Sequence, residues 1–172
     1  MDALMTYLQK IKLAVSLSSA TEPDNPLMFV NHGFTELTGY SAHYAVGRNC
    51  RFLQCEDSGH EAREMMHDAI DSGVGVAVCI LNERADGERF HNLVCIAPIS
   101  ARDGTDLLLG CQFELRRALD MRDVEDHVRG VNEMISAHMP RTPNERTQID
   151  SIKMRIDNVM MMVRTYEGHS AV

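Results

Sequence analysis

The sequence has no tryptophan, only five prolines and few aromatic residues, 5% in all. It also has no apolar run of the length, about 20 residues, that a membrane-spanning helix needs. The amino-terminal stretch MDALMTYLQKIK lacks the apolar core of a secretory signal, so a soluble, cytoplasmic protein is expected. Basic residues are scarce: 17 Lys and Arg stand against 25 Asp and Glu, for a net charge of −8. That balance argues against a nucleic-acid-binding face, which needs clustered cations for phosphate, and against docking on an anionic membrane. The five cysteines form no CxxC pair and leave an odd thiol, so neither a disulfide framework nor a zinc site is expected. Cys79, Cys95 and Cys111 lie inside apolar runs and are expected to behave as small buried hydrophobes.

What is present fits one domain with accessory helices. The 172 residues are 44% hydrophobic and 24% charged, enough apolar material for a packed core. Residues 1–17 read as an amphipathic helix, with Leu4, Leu8, Ile11 and Val15 recurring at spacings of four and three. The stretch SSATEPDNP (18–26) then reads as a loop. Residues 18–116 form an α+β domain: a short strand at 27–31, several helical turns punctuated by Gly33, Gly39 and Gly47, and a helix over 60–72. Three strand-like runs follow, at 74–82, 89–100 and 106–115, joined by Asp-Gly turn signals of the kind found in antiparallel hairpins. Residues 117–172 predict two further helices, a hairpin with narrow apolar seams; the second opens on Thr142, Pro143 and Glu145, a capping box.

Strand alternation exposes an oddity. Asn82 shares a face with Val76, Val78 and Ile80; Asn92 shares one with Val94 and Ile96; Gln112 shares one with Leu108 and Gly110. An unpartnered buried amide costs about 1–3 kcal/mol, so these three carboxamides ask for polar partners. Each could bond backbone or water. A flat heterocycle with mixed donors and acceptors would satisfy all three, because an amide both donates and accepts. Cys50 stands between Asn49 and Arg51 in GRNCRFLQ (47–54), where Arg48 and Arg51 would favour a thiolate or bind an anion such as phosphate.

GRNCRFLQ resembles the signature of LOV photoreceptors, the flavin-binding branch of the PAS superfamily, and more particularly of bacterial short LOV proteins. The flanks agree: PDNP at 23–26, GFTELTGY at 33–40, Asn82 and Asn92, and GCQFEL at 110–115. The resemblance implies an antiparallel five-stranded sheet with short helices enclosing FMN. It implies that Cys50 is the photoreactive thiol, forming a reversible bond to the flavin C4a carbon under blue light. Asn82 and Asn92 would bond the pyrimidine edge of the ring, and Gln112 would sit by N5 and O4. Asn49 and Gln54 would serve the ribityl and ring region, Val94 and Ile96 the apolar wall, and Arg51 the phosphate. Where many LOV domains carry a second phosphate-binding Arg, this chain has His67, with Arg63 one turn earlier as a substitute. His91 stands where a Trp is often found and points outward by alternation.

Nothing catalytic accompanies this pattern, so the expected function is a light-regulated interaction module and not an enzyme. It would form a homodimer through the terminal helices and act on a downstream protein partner. A histidine kinase is disfavoured: His138 is followed by Met-Pro, no Gly-rich nucleotide loop is present, and too few residues follow the domain for a catalytic one. Redox catalysis on the flavin lacks a substrate or nicotinamide motif.

Overall fold

A computed structural model of the chain describes residues 2–10, 12–100 and 104–115. The expected carboxy-terminal helices, 117–172, lie outside these residues. The elements run α1 (Asp2–Lys10), β1 (Ala14–Ser19), β2 (Leu27–Val30), α2 (His32–Thr38), α3 (Ala42–Ala45), a 3-10 turn (Cys50–Leu53), α4 (His60–Asp71), β3 (Val76–Glu83), β4 (Arg89–Ser100) and β5 (Asp106–Leu115). The strands form one five-stranded sheet in the order β2-β1-β5-β4-β3, antiparallel throughout. The expected sheet and its short helices are therefore present.

The β3–β4–β5 meander follows the alternation seen in the sequence. Along β3, Val76, Val78, Ile80 and Asn82 are all buried. Val94 lies opposite Gln112 and Ile96 opposite Gly110, so these side chains share one face of the sheet. His91 is exposed, as alternation requires. Cys79 corrects the expectation for the apolar thiols: it sits on the other face and is exposed, whereas Cys111 is buried and Cys95 half-buried. Near the middle of that face lie Leu93, Leu109, Val15 and Leu17, all buried.

The amino-terminal segment is a correction. The helix expected over 1–17 ends at Lys10, and Ala14–Ser19 is a strand between β2 and β5. In AVSLSS the residues alternate apolar and hydroxyl, and β1 gains its ladder from β5, with Ala14 opposite Gln112 and Ser16 opposite Gly110. Such non-local pairing overrides a helical spacing that carried on to Val15. The corner is tied by the buried Asn31. Its amide donates to the Leu8 and Leu13 carbonyls at 3.1 and 2.7 Å, and its oxygen accepts from the Val15 and Phe34 N–H groups, both at 2.9 Å. The Phe34 bond also caps α2. Gly33 is required here, because a Cβ would lie 2.5 Å from the Lys12 and Leu13 carbonyl oxygens.

Candidate functional site

The short helices and α4 fold over the face of the sheet that carries the three amides, leaving a cavity of about 500 Å³. Of the residues singled out from the sequence as candidates for this site, all but Arg48 line it. The 3-10 turn and its flanks bring Asn49, Cys50, Arg51 and Gln54; the meander brings Asn82, Asn92, Val94, Ile96 and Gln112; α4 brings Arg63 and His67. Residues the sequence reading missed also line it, among them Ser16 and Ser18 of β1 and Asp24 in the loop before β2. The β1 serines were hidden by the helical spacing of the amino terminus. Asp24 had a visible signal, the turn-forming PDNP, but no role attached to it.

The amides do not share one partner. Asn92 donates through Nδ2 to Asn82 Oδ1 at 2.9 Å, and its own oxygen accepts from the Phe113 N–H at 3.2 Å. Asn82 donates to the Leu81 carbonyl at 3.2 Å. Gln54 bridges to Asn82 across the free edge of β3. Much of the demand is thus met within the protein, as the plainer alternative held. Gln112 differs: its Nε2 approaches Cys50 Sγ at 3.9 Å, and its Oε1 is buried without a hydrogen-bond partner. A buried unpaired carbonyl beside a cavity is the mark of a donor to be supplied from within it.

Cys50 opens the 3-10 turn, capped by Asn49, whose side-chain oxygen accepts from the Arg51 N–H at 2.9 Å. Burial pushes the Cys50 thiol up to about 12, and the Gln112 hydrogen bond offsets this only in part. Cys50 is therefore a neutral thiol. The thiolate expected from the flanking arginines is overturned, because both cations turn away from the sulfur. Arg48 donates to the Tyr44 carbonyl at 2.9 Å and lies over the Tyr44 ring, while Arg51 pairs with Asp24.

The far end of the cavity is open and charged. Asn49 donates to the Asp24 carbonyl at 2.6 Å, and Arg51 holds the Asp24 carboxylate, both side chains being 59% exposed. On α4, Arg63, Met66, His67 and Ile70 line the cavity from one helical face, and His67 pairs with Asp71 at 3.2 Å. Among the described residues, no group of three or more His, Cys, Asp or Glu is arranged to hold a metal ion.

Comparison with known proteins agrees with this architecture. The PAS domain model matches residues 15–115. The Rhodobacter sphaeroides LOV protein superposes with a TM-score of 0.82 at 29% identity, covering 96% of this chain and 95% of that one. The chain belongs to the PAS family, in its LOV branch. A LOV domain from a blue-light activated histidine kinase of Erythrobacter litoralis is 35% identical, with a TM-score of 0.59 over 63% of this chain and all of that domain. Among curated relatives, blue-light-activated histidine kinase 1 of E. litoralis is 39% identical over 108 residues, 62% of this LOV chain and 30% of the relative. Phototropin-2 of Oryza sativa subsp. japonica is 36% identical over 124 residues, 67% of this chain and 14% of the relative. The LOV chain thus spans less than a third of either relative's length.

Proposed function

We propose that this LOV chain is a blue-light receptor that holds FMN in the cavity and uses Cys50 as its photoreactive thiol. The observation that carries the proposal is the pairing of Cys50 with Gln112: a neutral thiol and a partnerless buried carbonyl face the same cavity. The relatives named as blue-light-activated kinases support the same reading.

A flavin fits what the residues offer. Its flat ring suits the apolar wall of Ile80, Val94, Ile96 and Leu108, and its ring edge suits Asn82, Asn92 and Gln112. When bound, FMN absorbs blue light and offers an electrophilic ring carbon to a nearby thiol. Cys50 would supply both the sulfur and its proton, the proton passing to the neighbouring ring nitrogen, so a neutral thiol is the appropriate resting form. Gln112 can turn its amide to present either oxygen or nitrogen, and so can answer a change of proton at the ring edge. Because Gln112 lies opposite Ala14 on β1 and Val94 on β4, such a turn is felt in the central strands. Asn49 and Gln54 serve the ribityl and ring region, with Arg51, and Arg63 or His67 on α4, at the phosphate end.

The proposed output is a change in homodimerisation, or in binding to a downstream protein, carried by the terminal segments; it is sensory and not catalytic. Two measurements test the reading. Acid-released ligand from the purified protein should run as FMN at one per chain; a protein that takes up no flavin contradicts it. Size-exclusion profiles in darkness and under blue light should differ, and identical monomer profiles at micromolar concentration would remove the dimer claim.

A further inference from the structure

Both carboxylates at the cavity mouth lie where a phosphate-binding site would not be expected to keep them. Asp24 and Asp71 line the same cavity as the basic residues Arg51, Arg63 and His67. Each is paired with one of them, Asp24 with Arg51 and Asp71 with His67. Asp24 is moreover built into position. Its φ is +66° and that of Asn25 is +44°, left-handed backbone that Asp and Asn tolerate better than other side chains. The strap carrying them is latched on both sides: Asn49 donates to the Asp24 carbonyl, and Asn25 donates to the Ser19 carbonyl at 3.1 Å. The Asp24 carboxylate is thus held on the cation that a phosphate would need.

We infer that Asp24 is a specificity-determining residue that weakens the cavity's preference for a phosphorylated flavin, so that riboflavin is held nearly as well as FMN. The inference rests on the proposed flavin site. Two effects act together: the carboxylate competes for the Arg51 guanidinium, and it repels a phosphate dianion across the same mouth. Asp71 acts in the same sense on His67, more weakly because that pair is more exposed, 72% and 67%. Of the three basic residues lining the cavity, Arg63 alone is in no ion pair among the described residues. Discrimination between the two flavins therefore falls largely to one unshared cation.

Titration of the full-length chain with FMN and with riboflavin, read by flavin fluorescence, gives two dissociation constants and their ratio. In the natural sequence the ratio should be below about tenfold. Asp24→Asn keeps the backbone carbonyl and tolerates the left-handed conformation. It should tighten FMN about fivefold at low ionic strength and leave riboflavin unchanged. The gain should shrink in 1 M salt, since both charges face solvent, whereas a change in the fold of the strap would not. Asp71→Asn, which does not touch the strap, should move the ratio in the same direction by a smaller factor. Asp24→Asn variants in which neither constant changes, or in which both flavins weaken together, would overturn the inference and leave the flavin site intact. A natural sequence that binds neither flavin would overturn the proposed function, and this inference with it.

Discussion

At the sheet end of the cavity the polar groups are buried and largely bonded to one another. Asn82, Asn92 and Gln112 are each 3% exposed or less, and the Cys50 thiol is held neutral. At the mouth, Arg51 and Asp24 are each 59% exposed and pair with one another in solvent. The same residue types do different work in these two places. Where water is excluded, each missing hydrogen bond costs the full desolvation of its partner, so geometry is fixed and substitution is expensive. Where water is present, ion pairs are worth little to stability, and their role is to choose the ligand's charge.

This contrast can be broken or sharpened in order of expected effect. Cys50→Ala should abolish light-driven bleaching of the flavin band while flavin stays bound, as absorption before and after a blue pulse would report. Asn92→Ala strips Asn82 Oδ1 of its buried donor and should cost about 2 kcal/mol of stability, seen as a lower urea midpoint at unchanged slope. Gln112→Leu removes the group that faces both thiol and ligand, and should weaken flavin binding about fivefold in the same fluorescence titration.

A pH series tests the neutral thiols. Burial raises Cys50 and Cys95 to about 12 from the ordinary value of 9.0, and raises Cys111 in the same direction. A raised thiol pKa means the unfolded chain ionises first. The stabilising contribution is complete below pH 9 and is lost as pH climbs toward 12. Thermal melts should therefore fall across that window, and the Cys50 S–H infrared band should persist at pH 10. Melting that is flat to pH 11 would contradict the burial account. The smallest effect is expected at the mouth: His67→Ala should change FMN affinity by less than about threefold, since its side chain is 72% exposed. A larger loss would make the two ends of the cavity more alike than their exposure suggests.

What could be read from the sequence divides along a similar line. The meander was legible because its alternation is local: Val76 to Asn82, Asn92 to Ile96 and Gly110 to Gln112 each declare a face within a few residues. β1 was not, because the helical spacing of Leu4, Leu8, Ile11 and Val15 runs into it, and its place between β2 and β5 depends on pairing with β5, some ninety positions later. The candidate site residues, Arg48 apart, come together along one cavity, but their bonding was not legible. Neighbours in sequence suggested that Arg48 and Arg51 would ionise Cys50, whereas in space they turn to Tyr44 and Asp24. The Asn82–Asn92 bond likewise depends on strand register, which sets Ile80 opposite Asn92 and Asn82 opposite Phe90 and so makes the two amides diagonal neighbours. Charge partners and amide pairs are properties of the folded surface, and a list of residue identities holds them only implicitly.

The most direct test of the central claim is the visible absorption spectrum of the purified protein before and after a blue-light pulse. The account predicts a structured flavin band that bleaches, recovers in darkness, and stays unbleached in Cys50→Ala. A colourless protein that takes up no FMN, or a flavin band that bleaches equally without Cys50, would contradict it.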